Sequence, residues 1–286
     1  MQTVRVNEVD IAFSQTGRGP DAVFVHGIPT DYRAWNAQIP VFMDKFRVLT
    51  YSRRYAQPNS NRGNLVESTI EKNAEDLKEL IRQTTATPVN LIGHSYGGFI
   101  AAFLAARHPD LVSKLVLIEP GASTILVQDP GSRAQMLSLL LRAPSVALAA
   151  RQYLQNYYNP MLEAYHKGDL DTALNYFLDG LMSRKGALEQ LPDDIKRMMN
   201  ENSATIGEVE AKLPIFGKGE AGRIAAPTLL INGSDGTMIF RAINKQLAKS
   251  IPNSRIALIP SSSHFPHFEN SSSFNKNVLD FLRGPE

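Results

Sequence analysis

The tightest constraint on this chain's fold is a five-residue string, Gly93-His94-Ser95-Tyr96-Gly97, set between two apolar segments. Before it, Val89-Asn90-Leu91-Ile92 reads as a strand buried on both faces. After it, Gly97-Gly98-Phe99-Ile100-Ala101-Ala102-Phe103-Leu104 reads as a helix that is apolar nearly all round. A chain that turns directly from one into the other needs a strained corner, with Ser95 at its tip and its hydroxyl lifted above the sheet edge. Small residues two before and two after the tip let the strand and helix backbones nearly touch. The following helix adds its dipole and free N–H groups close to any negative charge that develops there. Ser95 is therefore the candidate nucleophile.

The rest of the first third alternates strands and helices. Val4-Arg5-Val6 and Ile11-Ala12-Phe13 read as an antiparallel hairpin, and Ala22–His26 and Phe46–Tyr51 as buried strands. Ile70, Ala74, Leu77, Leu80 and Ile81 share one helical face behind a cap at Ser68 or Thr69. Leu115-Val116-Leu117-Ile118 is a further strand, ended by Glu119-Pro120-Gly121. Such alternation predicts a mostly parallel sheet. From about 122 to about 222 the signals are helical only. The clearest is Leu170, Ala173, Leu174, Phe177, Leu178 and Leu181, with Asp169 placed as a cap. Another stretch, from Met136 to Tyr157, is interrupted near Pro144. Strands resume at Thr228–Asn232 and Arg255–Ile259, with helices around 242–250 and 274–282. The expected division is an α/β core of residues 1–121 and 223–286 with an all-helical cap of residues 122–222.

Two more segments complete a chemical constellation. At the end of a buried strand, His26-Gly27-Ile28-Pro29 offers a backbone N–H at Ile28 that pairs with the N–H of Tyr96 as an oxyanion hole. His26 shapes that loop, and His94, pointing away from the nucleophile, is structural. The base is expected late in the chain, in Ser261-Ser262-Ser263-His264-Phe265-Pro266-His267-Phe268-Glu269-Asn270. His264 is the first histidine after the last strand and is taken as the base. His267 is its competitor, with a helix-start or surface position as the plainer expectation.

Composition bounds the rest. With 43% apolar and 20% charged residues the chain can bury a large core. Thirty Lys and Arg against 28 Asp and Glu leave a net charge of +2, scattered too thinly for a nucleic-acid surface. The absence of cysteine excludes disulfides and thiolate metal sites. The polar, alternating start is not a signal peptide, and no run approaches the ~18 apolar residues of a membrane span. A soluble, cytoplasmic protein is expected.

Together, His26-Gly27-Ile28-Pro29 with Trp35 downstream, Gly93-His94-Ser95-Tyr96-Gly97-Gly98 and His264-Phe265-Pro266-His267-Phe268-Glu269-Asn270 resemble the α/β-hydrolase superfamily. The resemblance is to its branch of capped esterases, haloalkane dehalogenases, carbon–carbon bond hydrolases and cofactor-free haloperoxidases. It implies a mostly parallel eight-stranded sheet flanked by helices, no cofactor or metal, and a small-molecule substrate. The Leu, Met, Phe and Tyr content of the helical insertion suggests that this substrate has an apolar portion. One such constellation serves many chemistries.

Two departures from the family pattern stand out. Where relatives often carry an acidic residue and a Gly-x-Gly turn, this chain has Tyr51-Ser52-Arg53-Arg54-Tyr55. Arg53 either binds a substrate carboxylate or, as favoured here, pins a loop through backbone carbonyls. In most relatives the triad acid lies three residues after the glycine ending the seventh strand, which is Gly236 here. Asp235 is one residue early, and a slip of one turns a side chain the other way. Some haloalkane dehalogenases place the acid at the end of the sixth strand, which is Glu119 here. Glu119 is the expected acid and Asp235 the alternative. The resemblance implies a serine hydrolase of carboxylesters, lactones or thioesters. The alternatives are a non-turnover ligand receptor and a cofactor-free haloperoxidase or C–C hydrolase. The hydroxyl at Ser95 argues against an Asp-nucleophile dehalogenase or epoxide hydrolase.

Overall fold

The apolar runs of the sequence assemble into one sheet in a computed structural model that describes residues 1–61, 63–129 and 132–284. Its strands are β1 (Gln2–Val6), β2 (Val9–Thr16), β3 (Asp21–Val25), β4 (Arg47–Tyr51), β5 (Val89–His94), β6 (Val112–Ile118), β7 (Thr228–Gly233) and β8 (Ser254–Ile259). Their spatial order is β1-β2-β4-β3-β5-β6-β7-β8. The β1–β2 and β2–β4 pairs are antiparallel, and every other pair is parallel.

Neighbouring residues of a strand supply opposite faces of this sheet. In β5, Leu91 joins a core with Leu77, Phe99 and Ile100, whereas Ile92 joins one with Trp35, Phe42 and Phe274. Both faces are thus covered, which is why the central strands read as continuous apolar runs rather than alternating ones. The covering helices on the first face are Ile70–Thr84 and Ser95–Arg107; Ser271–Arg283 lies on the second. Thr69, not Ser68, caps the first of these, its Oγ1 accepting from the Lys72 N–H at 3.2 Å. Burying a leucine such as Leu77 contributes about 1.5–3 kcal/mol, so this stripe fixes the helix more firmly than its cap.

Between β6 and β7 every described element is helical. The helix Leu170–Met182 begins at Asp169, whose Oδ1 accepts from the Thr172 N–H at 3.1 Å, and its Leu174 and Leu178 are fully buried. Helices Arg133–Arg142 and Pro144–Tyr153 form a hairpin broken at Ala143. Phe216, near the end of this segment, packs edge-on against Phe99 with ring centres 5.5 Å apart. The helix expected from residue 242 already begins at Met238, where Thr237 supplies the N-cap.

Candidate active site

Ser95 stands at the junction of β5 and the helix Ser95–Arg107 with φ +52°, a left-handed conformation rare for a residue with a side chain. The glycines around it are sterically required. A Cβ at Gly93 would lie 2.5 Å from the Gly97 carbonyl oxygen, and one at Gly97 would collide with the Val25 and His26 carbonyls. The ends of β3 and β5 and the first turn of the helix therefore meet backbone to backbone.

Three expected residues come together there. The Ser95 Oγ lies 3.0 Å from His264 Nε2, and His264 Nδ1 lies 2.8 Å from Glu119 Oε2. Glu119 follows the last residue of β6 with φ +40° and is fully buried. Its other oxygen accepts from the Gly233 N–H at 3.0 Å and, more weakly, from the Asn232 amide at 3.5 Å. Asp235 is not part of this group. It is exposed, and its Oδ1 accepts the Ser234 hydroxyl at 2.8 Å.

The loop carrying His264 is held from both sides. His94 Nε2–H donates to the His264 carbonyl at 2.9 Å, which gives the residue beside Ser95 its structural role. On the other side the Glu269 carboxylate accepts from the N–H groups of Ser263 and Phe265 at 2.8 and 3.2 Å and from Arg184 at 3.0 Å. The Phe240 ring stacks on the imidazole at 4.3 Å. His267 begins a short helix, Pro266–Glu269, and is fully buried rather than on the surface. Its ring lies 4.8 Å from Trp35 and 4.5 Å from His94. Large apolar rings on both sides of its helical turn draw it inward.

Burial dominates the electrostatics. It depresses the His264 imidazole to about 3, so the ring is neutral near pH 7 with a free lone pair on Nε2. Burial pushes the Glu119 carboxyl up, while the bonds from Gly233 and Asn232 pull it back. Burial outweighs those bonds, so the carboxyl is raised to about 8. Burial likewise holds His26 well below its usual value.

Two peptide units lie close to Ser95, that of Gly27, where an added Cβ would come within 3.0 Å of the Ser95 Cβ, and that of Ser95 itself, and their carbonyls anchor them. Ile28 N–H shares a peptide with the Gly27 carbonyl. That oxygen accepts from His26 Nδ1 at 2.8 Å, Thr30 Oγ1 at 3.1 Å, Thr30 N–H at 3.3 Å and Arg53 at 3.4 Å. Tyr96 N–H shares a peptide with the Ser95 carbonyl, which accepts from Gly121 N–H at 2.9 Å. Because the N–H and C=O of a trans peptide point opposite ways, fixing each oxygen fixes the direction of each N–H. Neither N–H has a protein acceptor among the described residues. His26 Nε2 in turn accepts from the Arg53 N–H at 2.9 Å, which places the ring's proton on Nδ1.

Arg53 is buried and committed. It pairs with Glu208 of the helical insertion at 2.7 Å and lies over the Tyr96 ring at 5.0 Å. Glu208 also accepts the Ser68 hydroxyl at 2.7 Å, and Tyr96 Oη donates to the Ser68 carbonyl at 2.6 Å. Sequence reasoning missed Glu208, Glu269 and Phe240 as neighbours of the site. Glu208 and Phe240 gave no signal beyond an acidic or aromatic residue in an ordinary helical stretch, whereas Glu269 stands five residues after His264 in the string quoted for the resemblance. No cluster of three or more metal-ligating side chains occurs among the described residues.

Residues 23–271 match the family described as alpha/beta hydrolase fold. A 2-hydroxy-6-oxononadienedioate/2-hydroxy-6-oxononatrienedioate hydrolase of Cupriavidus pinatubonensis is 26% identical, covering 96% of this chain and 91% of its own. A pimeloyl-[acyl-carrier protein] methyl ester esterase of Nitrosospira multiformis is 24% identical over 97% of this chain and all of its own. Among solved structures, a thermophilic esterase from Thermogutta terrifontis superposes with a TM-score of 0.72 at 22% identity. It covers 99% of this chain and 98% of its own. The chain belongs to the α/β-hydrolase family and is an enzyme of that family.

Proposed function

We propose that the protein is a serine hydrolase of small ester-type molecules acting through Ser95, His264 and Glu119. The observation that carries this reading is the chain of two hydrogen bonds, Ser95 Oγ to His264 Nε2 and His264 Nδ1 to Glu119 Oε2. His264 takes the Ser95 proton as Oγ attacks the substrate carbonyl carbon. The N–H groups of Ile28 and Tyr96 bind the resulting oxyanion, and losing one such donor costs ~3–4 kcal/mol of transition-state stabilisation. Collapse expels the alcohol, which leaves with the proton from His264. Water, deprotonated by the same ring, then attacks the acyl-Ser95 carbonyl and frees the acid. Glu119 fixes the tautomer and stabilises the transient imidazolium.

An ester with an apolar portion is favoured over a dicarboxylate such as the first relative's name describes. The buried guanidinium beside the site, Arg53, is already neutralised by Glu208 and is no free receptor for a substrate carboxylate. In this reading residues 122–222 are a cap that closes over Ser95, itself only 8% exposed.

A fluorophosphonate probe tests the assignment. Stoichiometric labelling that Ser95→Ala abolishes, with many turnovers of a short-chain p-nitrophenyl ester, is expected. Labelling with at most one turnover would point to a receptor, and labelling unchanged in Ser95→Ala would remove Ser95 from the mechanism.

A further inference from the structure

The hairpin of helices Arg133–Arg142 and Pro144–Tyr153 is amphipathic in an unusual sense. Its packed face is thin: Leu139 and Ala147, with Val127, form a small satellite core, joined by the half-buried Met136 and Ala143. Leu137, Leu140 and Leu141 lie on the remaining face of the first helix at i, i+3 and i+4, all exposed, Leu141 by 77%. Leu148 on the second helix is 55% exposed. A run of bare leucines on one hairpin exceeds the scattered apolar residues of an ordinary surface.

Charge identifies what would cover them. From Ser132 to Leu162 there is no Asp or Glu, and the three charged residues, Arg133, Arg142 and Arg151, are all exposed. The helix on which the hairpin rests, Met238–Ser250, also lacks acids and carries Arg241, Lys245 and Lys249. The acids bordering these elements in sequence are Asp129, Glu163, which is paired with Lys167, and Asp235. A second copy meeting this face about a two-fold axis would set three arginines against three with no acid between them. An anionic bilayer supplies both what the leucines and what the arginines need.

We propose that this hairpin is a peripheral docking element for an anionic lipid surface. No helix among the described residues is long and apolar enough to cross a membrane, so contact is with the interface only. The supporting helix carries Phe240, which stacks on His264, so docking would place the helix that packs on the site against the bilayer, where apolar esters partition. That last benefit rests on the esterase reading; the docking itself does not.

The test is sedimentation with vesicles of phosphatidylcholine alone or mixed with phosphatidylglycerol, using Ser95→Ala so that binding is read apart from turnover. Binding to the mixed vesicles, weakened by salt, is expected. The triple variant Leu137→Ser/Leu141→Ser/Leu148→Ser, in the otherwise native enzyme, should lose at least ~10-fold in vesicle affinity while keeping its turnover of a water-soluble short-chain ester. Arg133→Gln/Arg151→Gln should erase the preference for phosphatidylglycerol. No binding to either vesicle overturns the proposal. So does a dimeric mass by light scattering that the leucine triple variant converts to a monomer, and so does an unchanged vesicle affinity in that variant.

Discussion

Gly236 and the Glu119 carboxylate compete for one space: a Cβ on residue 236 would lie 2.5 Å from Glu119 Oε1. Residue 236 is also the position from which most relatives are expected to offer their acid. The missing side chain is therefore the vacancy that Glu119, reaching across from the end of β6, fills. In the proposed triad an acid can stand at one position or at the other, and the glycine is as much a part of the arrangement as the glutamate.

Glu119→Gln should lower kcat on a short-chain ester by about 10³–10⁴, because the amide presents the wrong partner to His264 Nδ1. Asp235→Asn, altering an exposed side chain bonded to Ser234, should leave kcat within about twofold. The comparison needs both variants on one substrate. A near-normal Glu119→Gln enzyme would remove Glu119 from the triad.

Gly236→Ala should act through Glu119. Relieving a 2.5 Å contact displaces Oε1 and strains the bonds from Gly233 N–H and to His264, and a loss in kcat of at least ~10-fold with little change in KM is expected. In the Glu119→Gln background the same alanine should cost almost nothing more, since residues acting as a unit are non-additive. Simple multiplication of the two losses would show that Gly236 serves another purpose.

The contrast between these residues and the nucleophile shows what one sequence can reveal. Ser95, Ile28, Tyr96 and His264 could be named as candidates because each follows a strand whose apolar run marks its own end. The layered sheet was legible for the same reason. Glu119 could only be weighed against Asp235, because the choice depends on a contact between residues 117 positions apart. The Arg53–Glu208 pair was invisible in kind: it joins an ordinary-looking acid to a partner chosen by tertiary packing, and no local period encodes that. The brace of Glu269 on the His264 loop spans only four and six residues, but it depends on the path of the turn between them. His267 stands at a helix start, one of the two positions expected for it, but is buried rather than exposed, because a histidine's polarity says little about which rings will surround it.

Arg53 and Glu208 form a buried pair whose worth lies in not being broken. Glu208→Gln leaves the guanidinium with a neutral partner in a dry setting, which should cost about 3–5 kcal/mol of stability. For a chain of 286 residues that is a fall in melting temperature of roughly 5–8 °C. Because Arg53 also touches the Gly27 carbonyl, some loss of kcat should accompany it. A calorimetric midpoint within a degree or two of the parent's would show that the pair is not desolvated in solution.

Acid should destabilise the fold through its histidines. In the unfolded chain a histidine takes up its proton near pH 6.5. In the fold, burial depresses His264 to about 3 and holds His26, His94 and His267 well below their usual value. Below pH 6.5 the unfolded chain therefore binds more protons than the folded one. The stabilising contribution of each ring is present above that pH and is lost as the pH falls toward its folded value, at up to about 1.4 kcal/mol per pH unit. Glu119, raised to about 8, and Asp76, also raised by burial, work the other way, and Glu119 offsets up to about 2.7 kcal/mol between pH 5.5 and 7.5 against about 1.4 kcal/mol from each of the four imidazoles. The urea midpoint should accordingly be clearly lower at pH 5.5 than at pH 7.5, and His267→Phe, which keeps an aromatic ring against Trp35, should shrink the difference. The rate profile should behave oppositely in short assays. With His264 neutral well into acid, the acidic limb of kcat/KM should fall below pH 6.5. A midpoint that holds or rises at pH 5.5 would mean that these histidines are hydrated or charged in the native state.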